Sequence, residues 1–226
     1  MDLKKYCVNK ISHDTVNIFN KPARIMISGY SGSGKTSLCI QLLKYYRHKF
    51  TNIIIVNSPN SDELLSVPDL KDILVVYEFY PTIAEIETKF PGKVCIILDD
   101  NYSSSLNSKD VHSYFTRGRH IKLSVILLTQ NLFYTSGKFS RDISLNVTHF
   151  ILLRLRDLNQ IQIIGTQIFG KNHSVLKIYK YIMNKYKYGH LLIDLSIDSD
   201  QKTQLRSNII PDNKIHNFEI CYKIIE

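Results

Sequence analysis

ARIMISGYSGSGKTSLCIQLLKYY runs from Ala23 to Tyr46. Its apolar start, Arg24–Ser28, predicts a buried strand, the glycine-rich turn after it predicts a tight loop, and the amphipathic residues of 35–48 predict a helix. Within it, Gly29-Tyr30-Ser31-Gly32-Ser33-Gly34-Lys35-Thr36 satisfies GxxxxGK[ST] in full, in the strand–loop–helix context that the motif requires. Successive backbone N–H groups at Gly32–Thr36 can wrap a phosphate only where side chains leave the turn unobstructed, which accounts for glycine at 29, 32 and 34. The helix N-terminus adds roughly half a positive charge. Residues 29–37, with Ser37 as the last, therefore form the candidate phosphate site of ATP. Lys35 is placed to reach the β- and γ-phosphates, and the Thr36 hydroxyl to ligate Mg²⁺.

A P-loop needs a second, acidic strand, and Lys93-Val-Cys-Ile-Ile-Leu-Asp99-Asp100 supplies one. A run of buried apolar residues ending in a carboxylate carries that charge to the C-terminal edge of a sheet, where α/β proteins bind ligands. Asp99 is the candidate for the Mg²⁺ shell. Asp100, one residue on, is placed to orient or deprotonate an attacking water, with a turn or helix-capping aspartate as the alternative. Downstream, FTRGRH (115–120) leads into the apolar run Leu123–Leu128 and then Thr129-Gln130-Asn131. A polar side chain at the end of that strand lies beside the acidic one, so Gln130 is the candidate reader of the γ-phosphate. Arg117 and Arg119 suit an arginine finger, and equally a contact to DNA or to a surface carboxylate.

Further apolar runs at 53–57, 73–77, 149–153 and 190–194 alternate with helix-like stretches at 81–89, 109–115, 157–169 and 173–185. Runs apolar at almost every position are what strands covered on both faces look like. The expectation is α/β: a P-loop NTPase three-layer sandwich of the additional-strand, RecA-like type with a largely parallel central sheet. Residues 1–22 read as an N-terminal extension, 23–195 as the P-loop ATPase domain, and 196–226 as a C-terminal arm whose part 196–211 is polar. A guanine-reading NKxD motif does not occur, since Asn184-Lys-Tyr-Lys187 lacks the aspartate, and no arginine-rich lid is evident. Small-molecule kinases and GTPases fit less well for that reason.

Composition bounds the rest. The 226 residues are 44% hydrophobic and 22% charged with only 9 Gly and 6 Pro, which excludes a disordered or collagenous chain. The longest apolar runs fall far below the ~20 residues of a membrane helix, and the N-terminus lacks the apolar stretch of a signal peptide. The chain thus reads as a globular protein retained inside the cell and not integral to a membrane. Cys7, Cys39, Cys95 and Cys221 form no CxxC pair, so neither a disulfide framework nor a zinc cluster is indicated. Lys plus Arg is 29 against 20 for Asp plus Glu, a net +9 that favours polyanionic partners, or else a generally basic surface. Tyr179, Tyr181, Tyr186 and Tyr188 lie in a basic stretch with Lys185 and Lys187; they suit a DNA-lining surface or half-buried helix positions.

GYSGSGKTSL, IILDDN, FTRGRHIKLSVILLTQNLF and KFSRDISLNVTHFILLRLRD, in this order, resemble the genome-packaging ATPases of large DNA viruses and of Maverick/Polinton transposons. These form the poxvirus-type branch of the FtsK–HerA superfamily. The resemblance runs from about Ala23 to Pro211; its TRGRH…LTQN block and later LLIDL segment are specific to the group. It implies an ATP-driven motor, usually a homo-oligomeric ring, that threads double-stranded DNA into a capsid at the intracellular site of virion assembly. The family's phosphate-binding lysine maps to Lys35, its acidic pair to Asp99 and Asp100, and its glutamine to Gln130. Fingers in such rings act on a neighbouring subunit's ATP, and Arg117, Arg119, Arg154 and Arg156 all match arginines of the pattern. Two other readings of the same residues are a nucleotide or nucleoside kinase, and an assembly factor that binds ATP without steady turnover.

Overall fold

The computed structural model describes residues 8–56, 61–99, 102–133, 137–170, 174–211 and 218–223. Among these, ten strands form one sheet. Six of them are parallel: β2 (Arg24–Ser28), β3 (Asn52–Val56), β4 (Leu74–Tyr77), β5 (Val94–Leu98), β6 (Leu123–Thr129) and β7 (His149–Leu152). Their spatial order is β4-β3-β5-β6-β2-β7. β6 is thus inserted between the P-loop strand β2 and the acidic strand β5, with Ile27 opposite Leu128 and Leu98 opposite Leu127. This is the additional-strand, largely parallel sheet expected from the sequence.

Alternate residues of each strand feed two separate cores. Met26, Ile54, Ile96, Val125 and Phe150 face one side; Ile25, Ile53, Cys95, Ile126 and Ile151 face the other. On the second side the sheet is covered by α1 (Lys35–Tyr45) through Leu38, Cys39, Leu42 and Leu43, and by the short α2 (Ser61–Leu65) through Leu64. On the first it is covered by α3 (Ile83–Lys89), α5 (Lys109–Arg117), which the one-turn α4 (Tyr102–Ser105) precedes, α6 (Ser140–Asn146), α7 (Asn159–Phe169) and α8 (Ser174–Lys185), through residues such as Ile86, Phe115, Ile143, Ile161 and Ile178. Two covered faces explain why these strands are apolar at both parities and make the fold three-layered. Helix starts follow local chemistry. Thr82 accepts the Glu85 N–H at 3.2 Å and Ser108 the Val111 N–H at 3.3 Å, so each caps a helix. Among the described residues no helix is long and apolar enough to cross a membrane. Cys39 and Cys95 are core residues whose thiols burial pushes up.

The other four strands are antiparallel: β8 (Leu191–Asp194) on β7, then β9 (Leu205–Ser207), β10 (Glu219–Tyr222) and β1 (Val8–Ile11). Only β8 is expected from its sequence. The polar stretch 196–211 is more than a tail, since it contributes β9, and β1 and β10 extend the sheet beyond it. The polar side chains that disguise these strands pair with one another inside. Arg206, fully buried, places Nε 2.8 Å from Glu219 Oε2 and Nη1 3.3 Å from Asp194 Oδ2. His149 Nε2 lies 3.4 Å from the other oxygen of Asp194, which also accepts the Ser196 N–H at 2.9 Å.

Burial pushes the His149 imidazole down to about 4, against the attraction of Asp194. A depressed histidine favours folding while neutral: its contribution is complete above the ordinary value of 6.5 and is lost as pH falls through 4. Thermal melts at pH 7 and pH 4.5 are expected to show a loss that a His149→Gln variant largely lacks, on the order of 3 kcal/mol for a shift of this size. A wild-type decline identical to the variant's would remove this assignment.

Candidate functional site

β2 delivers its chain to the C-terminal edge of the sheet between β6 and β7, and both neighbours hold the loop that follows. The Gly29 N–H donates to the Thr129 carbonyl at 3.1 Å, and the Tyr30 N–H to the Arg154 carbonyl at 2.9 Å. Gly32 and Gly34 have φ of +78° and +96°, the left-handed region that only glycine enters without strain. At Gly29 the constraint is space, because a Cβ would meet Leu153 Cβ at 3.0 Å and collide with Ser33 Oγ. Gly34 caps α1, whose first turn carries no acidic residue, so the positive end of the helix dipole faces the loop without a neutralising partner on that turn. Lys35 folds its ammonium over the loop, donating to the Gly29 carbonyl at 2.9 Å and the Tyr30 carbonyl at 3.3 Å.

A cleft of about 670 Å³ opens on this loop and is lined by Ser31, Gly32, Gly34, Lys35, Thr36 and Ser37. Asp99 and Gln130 line it too, one from the end of β5 and the other just beyond the end of β6. The structure therefore brings most of the expected phosphate-site residues together with the acidic residue and the strand-end glutamine. Gly29, Tyr30 and Ser33 form the turn behind them. Asp100 lies outside the described residues.

The four arginines part company. Arg117 ends α5 and donates to Ser113 Oγ at 3.0 Å, while Arg119 touches His120 Nε2 at 3.5 Å. Both precede β6, whose seven residues span about 20 Å, so they sit at the opposite edge of the sheet from Gln130. Arg119 lines a second cleft there with Arg24 and His149. Neither arginine reaches its own chain's P-loop cleft. Arg154 is committed elsewhere: its guanidinium donates to the carbonyls of Met183, Tyr186 and Lys187, capping the C-terminal turn of α8. Arg156 is exposed, two residues beyond it.

Three contributors have no motif in the sequence. Gln160 of α7, buried, accepts the Leu132 N–H on Oε1 at 2.7 Å and donates from Nε2 to Asn131 Oδ1 at 3.4 Å. It ties down the turn that carries Gln130. Gln160→Leu should cost about 1–3 kcal/mol by leaving the Leu132 N–H unpaired. It should also slow turnover more than it weakens ATP binding, as comparison of kcat with Kd would reveal; loss in Kd alone would contradict the link to Gln130. Tyr188 and His190, from the turn before β8, line the cleft on its β7 side.

The donor set fits a nucleotide triphosphate. The left-handed glycines make a cradle that a side chain would fill, and Ser33 Oγ is buried without a hydrogen-bond partner among the described residues. Those residues contain no group of three His, Cys, Asp or Glu side chains able to hold a metal alone. One carboxylate, Asp99, and the Thr36 hydroxyl line the same cleft, a sparse oxygen set that would suit a Mg²⁺ shared with phosphates.

The family described as novel STAND NTPase 3 matches residues 6–80, the part that holds the P-loop. No curated protein matches the chain in sequence. Among solved structures, the genome packaging NTPase B204 of Sulfolobus turreted icosahedral virus 2 in complex with ATP-gammaS is 16% identical, with a TM-score of 0.51, covering 91% of this chain and all of its own. B204 described as the DNA-packaging ATPase from Sulfolobus turreted icosahedral virus is 17% identical, with a TM-score of 0.54, over 78% of this chain and 94% of its own. The family resemblance read from the sequence is met at the level of architecture: this chain has the P-loop NTPase fold that the viral genome-packaging NTPases share.

Proposed function

We propose that the chain is a Mg²⁺-dependent ATPase that drives double-stranded DNA into the capsid of a virus or a virus-like transposon. The observation that carries this reading is the convergence of Lys35, Thr36, Asp99 and Gln130 on one cleft, with the Gln130 strand inserted between the other two strands. In this scheme the loop amides and Lys35 bind the β- and γ-phosphates and offset charge that builds as the γ-phosphoryl departs. Thr36 and Asp99 are the residues that would hold Mg²⁺, which when bound would supply further charge neutralisation. Gln130 reads the γ-phosphate, and Asp100 orients or deprotonates the attacking water. Arg117 and Arg119, remote from their own cleft, are left for a neighbouring subunit's ATP in a ring or for DNA phosphates.

Turnover measured with and without duplex DNA, on protein whose assembly state is established by light scattering, tests the reading. DNA-stimulated hydrolysis by a ring is expected. An assembled ring with neither stimulated turnover nor movement along DNA would end the motor proposal, and phosphate transfer to a nucleoside acceptor would replace it with a kinase.

A further inference from the structure

Most of the P-loop cleft is polar, as a triphosphate requires, but one wall is not. A side chain at position 34 would meet Tyr188 Cδ1 at 3.6 Å and Leu153 Cδ2 at 3.8 Å, so these two residues form an apolar corner directly over the start of α1. Leu153 is buried, as a wall residue should be, whereas Tyr188 is 63% exposed. An aromatic ring left this open contributes little to the core.

Its backbone, by contrast, is held from several directions. Gly189, next in the chain, allows a tight turn, since a Cβ there would lie 2.9 Å from the Ile182 carbonyl oxygen. His190 accepts the Ile209 N–H on Nε2 at 3.3 Å and hydrogen-bonds the Tyr188 backbone as well. Arg154 donates Nε to the Lys187 carbonyl at 3.2 Å and Nη2 to the carbonyls of Met183 and Tyr186. The Arg154 carbonyl itself accepts the Tyr30 N–H of the P-loop. One residue thus ties the phosphate loop to the turn that presents Tyr188. The Lys187 ammonium, 5.4 Å from the ring centroid, restrains the ring further.

From this arrangement we infer that Tyr188 is the stacking platform for the nucleobase, and that Arg154 acts as its positioning residue and not as an arginine finger. The inference rests on the nucleotide reading of the P-loop given above. A flat, rigidly mounted π-face beside a phosphate cradle fits a ligand with an aromatic ring a ribose away from its phosphates. Stacking reads the presence of a base more than its identity, because every base has a π-face.

Binding of ATP and of inorganic tripolyphosphate, measured by calorimetry on the full chain, separates the base from the phosphates. Tyr188→Ala should weaken ATP about 5- to 150-fold, the range that base–aromatic stacking supplies, and leave tripolyphosphate unchanged. Tyr188→Trp should bind ATP as the wild type does. Arg154→Ala should show the same ATP-selective loss, and the double variant should be no weaker than the worse single one, since both changes remove one contact. Equal loss for ATP and tripolyphosphate in Tyr188→Ala, or no loss for ATP, overturns the platform. A fall in kcat at unchanged ATP affinity in Arg154→Ala returns that residue to the finger role. Failure of the wild type to bind either compound would show up separately, as failure of the P-loop reading itself, and would take the platform with it.

Discussion

Lys35→Ala is expected to reduce ATP hydrolysis by at least about 10²- to 10³-fold, the scale on which a single charged or oriented donor stabilises a transition state of this kind. The structure gives the reason. The Lys35 ammonium lies over the phosphate loop, within hydrogen-bond distance of the Gly29 and Tyr30 carbonyls, in the same cleft as Asp99 and Gln130. Among the described residues no other lysine or arginine lines that cleft. The substitution removes its cation from the place where phosphate charge accumulates. Folding should survive, because Lys35 is the first residue of α1 and alanine is the better helix former. Phosphate release under Mg²⁺ and ATP, with circular dichroism as the folding control, measures the effect. Turnover retained within tenfold of wild type, by folded protein, would remove this cleft as the site of hydrolysis.

The two halves of the sheet differ in how far they can be read from sequence, for a physical reason. β2, β3, β5 and β6 lie under helices on both faces, so burial demands apolar residues at nearly every position and the runs announce themselves. β9 and β10 are just as buried, yet they carry Arg206 and Glu219, which pair with each other, Arg206 pairing also with Asp194 across the sheet. No local pattern reveals a partner 12 or 13 residues away. The P-loop is legible because phosphate binding constrains consecutive backbone positions. Gln160 acts through two hydrogen bonds to residues 28 and 29 positions away, and Tyr188, read from sequence only as one tyrosine of a basic stretch, reaches the cleft only because the turn before β8 folds back over Gly34, so neither position carries a spacing that points to the P-loop. Arg117 and Arg119 show the converse: their order relative to Gln130 was plain, but only the direction of β6 places them at the opposite edge.

Arg206→Ala is expected to lower stability by about 3–5 kcal/mol, the cost of breaking a buried ion pair from one side. For a chain of this length that is about 6–20 °C in Tm. The guanidinium is fully buried where the antiparallel strands β8, β9 and β10 adjoin the parallel sheet, and its removal leaves Glu219 with no cation at hydrogen-bond distance among the described residues. Burial already raises the Glu219 carboxyl from 4.5 to about 7, with Arg206 opposing the shift. A raised carboxyl stabilises the fold fully below its unfolded value and loses that contribution as pH rises through its folded one. The variant should therefore be hurt less at pH 5, where Glu219 is protonated with or without Arg206, than at pH 8, where the wild type has an ion pair and the variant has none. Asp194 keeps the Ser196 N–H and hydroxyl, at 2.9 and 2.6 Å, so it does not lose every partner. Arg206→Met combined with Glu219→Leu removes both charges while filling the space, and should recover most of the loss at either pH. Melts of the three proteins at both pH values decide the matter. A single variant as stable as the wild type at pH 8, or a double variant no better than the single, would mean that charge pairing is not what joins these strands to the sheet.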